Sequence, residues 1–331
     1  MIRRLLTGLK NRLVYVVVGS LASGLAAGQL LADPRALRAA VVPILFVMVY
    51  PMLVNVSLRE VLAVREHAAP VGGSLSMNFL FTPVLAVGLA RLFFDGSPGY
   101  AVGLYFVALV PTSGMTAAWT GLADGDLEAA VVATAVNLLV AVAVLPVYLS
   151  VLVPGSVTFQ PDRLYAQLAR VIVAPMVVAV VTRWVLLRRL GQEGFERVKP
   201  LFGGVSTLGV AAIVLVATAM RSTAILADPI ASASVVVPLV AFYAVVFAVG
   251  SGLGRLLGPA RGTALVYATS MRNLSVALAV IVAADGLPAT AVLPVALSYL
   301  LQPPLGAISV RFRRAAVHDG VTLREAVARL V

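Results

Sequence analysis

The stretch GTALVY (262–267), ATSMRN (268–273), LSVALAVIVAA (274–284) is an apolar segment interrupted near its middle by polar residues and one charge, Arg272. A lone cation at the centre of a membrane helix costs about 2.5–3.5 kcal/mol on insertion scales. Chains that keep one use it to meet an anion, a cavity or a cluster of carbonyls. The segment therefore reads as a membrane helix broken at mid-depth, and every other charge in the chain can be placed at a membrane surface.

Composition agrees with that reading. The chain has 331 residues, 61% hydrophobic and 12% charged, with a mean hydropathy of +1.02, more apolar surface than a soluble core can bury. No cysteine is present, which removes disulfides, thiolate metal sites and thiol nucleophiles. No metal-ligand set and no cofactor is expected.

Windows of about 20 residues give ten candidate spans: 13–31, 38–57, 69–94, 99–121, 127–153, 163–187, 201–221, 230–254, 262–284 and 288–309. Turn residues punctuate them at Asp33-Pro34, Asp95 to Gly99, Pro154-Gly155, Gly191 to Pro200, Asp228-Pro229, Gly258-Pro259 and Asp285 to Pro288. The first stretch is too long for a signal-peptide core and lacks a small-residue cleavage site, so it is expected to stay as helix 1. Lys and Arg crowd one set of connections: the first twelve residues, Arg59 and Arg65, the region from Arg183 to Lys199, Arg255 and Arg261, and five arginines of the tail. The opposite connections hold only Arg35, Arg38, Arg91, Arg163, Arg170 and Arg221. Both termini are therefore predicted cytoplasmic, in the plasma (inner) membrane. The formal charge of +11 reads as a topology signal rather than a nucleic-acid surface, and the lipid bilayer is the expected partner.

Ten spans with both ends inside divide into five plus five, the second half inverted: residues 1–157 as the first repeat, 158–314 as the second, and 315–331 as a cytoplasmic tail helix. Such repeats put a transport site at the midplane, where equivalent helices are broken. Helix 4 supplies the partner break. It reads VGLYFVALV (102–110), PTSGMT (111–116), AAWTGLADGD (117–126); Pro111 removes a backbone donor, and Thr112, Ser113 and Thr116 offer hydroxyls to freed backbone groups around Gly114. Two half-helices starting at mid-membrane bring positive dipole ends to Arg272, a cradle for an anion. The expected substrate-binding set is Thr112, Ser113, Gly114, Thr116, Arg272, Asn273 and Ser275, with Asn78, Asn137, Thr269 and Ser270 as supporting core polar residues. The hydroxyls can instead bond back to the preceding turn.

The segment LFVMVYPMLVNVSLREVL (45–62), the stretch from Asn78 to Pro83, and the run from Trp119 to Asp126 followed by an Asn137-centred helix resemble the arsenical-resistance exporter branch of the bile acid:sodium symporter superfamily. The resemblance implies a ten-helix inverted-repeat transporter, with a panel of helices moving against a core that holds crossed, broken helices 4 and 9. It also implies a cysteine at the helix 4 break, where this chain has Pro111-Thr112-Ser113-Gly114. In the sodium-coupled branch it implies a glutamate and a glutamine on helix 9, where this chain has Ala268 and Arg272.

All Asp and Glu residues fall at span ends or in loops, which leaves Asp124 and Asp126 as the candidates for proton coupling. Three readings stay open: export of an arsenical, another oxyanion or a small organic anion; sodium-coupled import of an organic anion; and an uncoupled anion channel or sensor. A hydrolase built on Ser113 or Ser270 lacks a base, because the two histidines, His67 and His318, lie in a connection and in the tail. Asn55, Ser206, Thr207, Ser298 and Gln302 are expected to join helices rather than touch substrate, and Trp119 to pack or anchor at an interface.

Overall fold

The computed structural model describes residues 13–54, 63–113, 115–153, 166, 169, 173–227, 229–283 and 286–318. The regular elements among them are helices: α1 (Leu13–Leu30), α2 (Arg38–Val54), α3 (Ala68–Phe93), α4a (Pro98–Leu109), α4b (Met115–Leu122), α5 (Leu127–Leu152), α6 and α7 (174–190 and 192–227), α8 (Val236–Gly254), α9a (Pro259–Ser270), α9b (Leu274–Ala283) and α10 (Val292–His318). Five helical stretches among the described residues are long and apolar enough to cross a bilayer, and three further apolar helices are shorter, at 15–30, 39–54 and 98–109. The chain is an integral membrane protein built of helices.

The helices form two groups. α1 and α2 pack on α6 and α7, while α3, α4, α5, α8 and α9 pack on one another, with α9b and α10 touching both sets. In lipid no hydrophobic drive separates helix from tail, so close approach through small residues holds such contacts. A Cβ at Gly24 of α1 would stand 2.6 Å from the Leu215 carbonyl oxygen of α7, and one at Gly209 of α7 would stand 2.6 Å from Cα of Met48 on α2. Larger residues at either position would wedge the first group apart.

Some boundaries differ from the sequence reading, each for a local physical reason. The connection expected over Gly191 to Pro200 is helical but for Gly191, whose φ of 67° makes the kink between α6 and α7; Phe195 in it is buried beneath the guanidinium of Arg183, 4.8 Å from its ring centre. The last helix runs unbroken through residue 314 to His318. Arg313, grouped by sequence with the solvated tail, is 5% exposed and donates to the Ser251 hydroxyl of α8. Among the described residues Arg272 and Arg313 are the arginines withdrawn from solvent. Gly114, Asn55, the boundary at 157/158 and the tail from residue 319 lie outside the described residues.

Candidate functional site

Helix α4 stops where Pro111 stops it. Val110 is extended (φ −77°, ψ 114°), and the chain resumes as a helix only at Met115. Helix α9 stops at Met271 (φ −86°, ψ 79°) and resumes at Leu274. The two unwound pieces meet as an antiparallel bridge between Thr112 and Arg272. The Ser113 N–H donates to the Met271 carbonyl at 2.9 Å, and the Asn273 N–H to the Pro111 carbonyl at 2.7 Å. Each break satisfies the other's backbone, which lipid could not do.

Breaking a helix also frees carbonyls one turn earlier. The Ala108 carbonyl would have received the Thr112 N–H; it accepts instead from the Thr82 hydroxyl at 2.9 Å and from Arg272 Nη1 at 3.2 Å. On the other side the Arg272 N–H turns to Gln302 Oε1 at 2.8 Å, and the Ala268 carbonyl accepts from Asn78 Nδ2 at 3.0 Å. Gln302 Nε2 donates to the Arg272 carbonyl at 3.2 Å, and the Tyr243 hydroxyl donates to Gln302 Oε1 at 3.2 Å. One side chain of α10 thus clamps both backbone groups of Arg272.

Gln302, expected from its sequence context to join helices, holds a position that the sequence does not reveal. It sits in an ordinary apolar helix thirty residues from its partner, and only the fold aligns them. Asn78 lies in a π-helical turn of α3, Met77–Phe81, a feature that often marks functional positions. It bonds Asn137 Oδ1 at 2.8 Å, and Asn137 Nδ2 reaches the Ser74 hydroxyl at 2.7 Å.

The guanidinium of Arg272 is 1% exposed and lies 5.6 Å over the Phe242 ring. Its Nη1 is bonded to Ala108, but Nε and Nη2, the side-on fork that grips an oxyanion, are buried with no hydrogen-bond partner among the described residues. So is Thr112 Oγ1, across the bridge. Buried donors left open are costly unless something occupies them.

Other expected site residues are committed elsewhere. Ser113 Oγ accepts the Met115 N–H at 3.2 Å, and Asn273 Oδ1 accepts the Val276 N–H at 3.2 Å. Both cap the half-helices whose N–H groups the sequence reading had offered to an anion. Thr269 and Ser270 bond back to the Val266 carbonyl, and Thr116 crosses to the Tyr267 carbonyl at 3.2 Å. Ser275 pairs with the Tyr299 hydroxyl at 2.9 Å. Trp119 stacks on Tyr267 at 6.5 Å between ring centres. At the end of α4b, Asp124 turns the chain with φ 54°. Asp126 caps α5 through the Ala129 N–H at 2.9 Å and lies 3.8 Å from Arg261.

A family model described as the Sodium Bile acid symporter family matches residues 42–228. The chain is also similar to the arsenical-resistance protein Acr3 of Corynebacterium glutamicum, 24% identical over 256 residues, covering 73% of this chain and 69% of that protein.

Proposed function

Because the chain belongs to the Sodium Bile acid symporter family, we propose that it is an alternating-access secondary transporter of the plasma (inner) membrane that exports an arsenical, another oxyanion or a small organic anion. Membership of a transporter family and the agreement with an arsenical-resistance relative set the class; the substrate is argued from the site. In this reading ten spans make a 5+5 inverted repeat, residues 1–157 and 158–314, with 315–331 as a cytoplasmic tail and both termini inside. The repeat is supported by the matched places of the two breaks, fourth and ninth in order, and by the pairing of α1 and α2 with α6 and α7 across the halves. The orientation is supported by the crowding of Lys and Arg on one set of connections.

The observation that carries the proposal is the open side-on fork of Arg272 facing the bridge to Thr112. An anion bound there takes the guanidinium Nε and Nη2 and the Thr112 hydroxyl, with Ser113, Thr116, Asn273 and Ser275 at the two breaks. Asn78, Asn137, Thr269 and Ser270 hold the framework. The relative's name points to an arsenical. The donors here are hydroxyl and N–H groups with no cysteine in the chain, a hard set that fits an oxygen-rich anion better than a thiol-seeking metalloid. Proton coupling, where it operates, runs through Asp124 or Asp126.

The test is flux in proteoliposomes. Export of arsenate, phosphate or arsenite should respond to a pH gradient or to membrane potential. A requirement for a sodium gradient would replace this reading with organic-anion import, and indifference to every gradient except the anion's own would replace it with a channel.

A further inference from the structure

The start of α3, the start of α5 and the start of α9a meet at one end of the core group, and a second polar cluster with a buried histidine lies among them. His67, the residue before α3, is 7% exposed, and among the described residues neither ring nitrogen has a hydrogen-bond partner. Its Nε2 lies 3.8 Å from Glu128 Oε1, and its Nδ1 lies 3.9 Å from Asp126 Oδ2. Both gaps are too long for hydrogen bonds. Glu66 completes the group: one ligand atom each from Glu66, His67 and Glu128 falls within 4.8 Å of the others.

We propose that Glu66, His67 and Glu128 form a binding site for a divalent cation of the zinc class. Three protein ligands of nitrogen and oxygen with a solvent-filled fourth position are a common zinc arrangement, with bonds of about 2.0–2.2 Å that set ligand atoms roughly 3.3–3.6 Å apart. The 3.8 Å gap from Nε2 to Glu128 needs only a small side-chain rotation to reach that spacing. The imidazole selects a borderline metal over the hard cations, which prefer all-oxygen sites.

Asp126 stands where the outer carboxylate of a carboxylate–histidine–metal chain stands, facing Nδ1 while Nε2 faces the ion. Its own position is fixed, because Oδ1 caps α5 and Oδ2 lies 3.8 Å from Arg261 of α9a. Glu66 and Glu128 are exposed, which gives the ion a route from solvent. A bound cation would tie the residues just before α3 to the first turn of α5, within the core group.

The test uses the full chain, purified without an affinity tag, stripped with chelator and titrated with Zn²⁺ by calorimetry and with Co²⁺ by visible absorption. One equivalent should bind, and Co²⁺ should give the intense bands of a low-coordinate nitrogen–oxygen site. His67→Ala should weaken binding at least about 100-fold, since loss of an outer-shell partner alone costs 10–100-fold. Glu128→Gln, at an exposed side chain where folding is not at stake, should weaken it at least about tenfold, and His318→Ala should leave it unchanged. Absence of saturable binding, or binding that survives both His67→Ala and Glu128→Gln, overturns the proposal. A His67-dependent change of stability with pH in a chain that binds no zinc also overturns it and assigns the cluster to a proton.

Discussion

The breaks in α4 and α9 do the same structural job by different means. In α4 the interruption is covalent: Pro111 lacks the N–H that would continue the ladder, so the helix ends whatever surrounds it. In α9 nothing between Thr269 and Asn273 forbids a helix. That break is held from outside, by Gln302 on both backbone groups of Arg272, by Pro111 receiving the Asn273 N–H and by Asn78 on the Ala268 carbonyl. A helix that breaks because of its own residues keeps its shape alone. A helix broken by its neighbours is only as stable as those contacts, and it is the one that carries the guanidinium.

Substitutions can sharpen or destroy that contrast. The largest loss of stability is expected for Gln302→Leu, which removes three hydrogen bonds, to the Arg272 N–H, the Arg272 carbonyl and the Tyr243 hydroxyl, and leaves the two Arg272 groups only their local bonds to the Ser270 carbonyl and the Leu274 N–H. At roughly 0.5–1.5 kcal/mol net for each of the three hydrogen bonds lost, a loss of about 2–4 kcal/mol is expected. Thermal unfolding in detergent measures it, and an unchanged midpoint would mean that α9 breaks without its clamp. Next comes Asn78→Leu, which removes the bonds to Asn137 and Ala268; membrane side-chain hydrogen bonds average about 0.6 kcal/mol with a maximum near 1.7, so about 1–2 kcal/mol is expected on the same assay.

Pro111→Ala restores a donor but leaves the bridge intact. Its expected cost is below about 1 kcal/mol with transport retained, and a large loss would show that α4 depends on its proline for more than termination. The smallest change in stability is expected for Thr112→Val, whose hydroxyl bonds nothing among the described residues. Anion affinity should nonetheless fall about tenfold, close to the 1.4 kcal/mol of one good hydrogen bond. Equal loss of stability and affinity would make Thr112 structural.

Much of this contrast was legible in the sequence. Pro111, the hydroxyl run after it and a charge inside an apolar segment located both breaks to within a few residues, because proline chemistry and the cost of burying a cation act locally. What supports α9 was legible only in part. Asn78 reads from the sequence as a supporting core polar residue, but which group it holds, and the whole role of Gln302, arise only when folding sets them against backbone groups freed by the break. The capping of the half-helices by Ser113 and Asn273 was hidden for a related reason: a serine or asparagine at a break can face a ligand or its own backbone, and the backbone geometry decides. His67 looked like a connection residue because its neighbours, Asp126 and Glu128, come from the far end of another helix pair. Arg313 looked like tail because the last helix continues past the end of its apolar stretch.

The central claim is that the open fork of Arg272 receives the transported anion. Its most direct test is anion-dependent thermal stabilisation of the purified chain with arsenate, phosphate, arsenite and small carboxylates, comparing the natural protein with Arg272→Ala and Arg272→Lys. The account predicts stabilisation of the natural protein by at least one of these anions, no stabilisation of a folded Arg272→Ala, and a partial response from Arg272→Lys, which keeps the charge but loses the fork. Equal stabilisation of all three proteins by the same anion would contradict it.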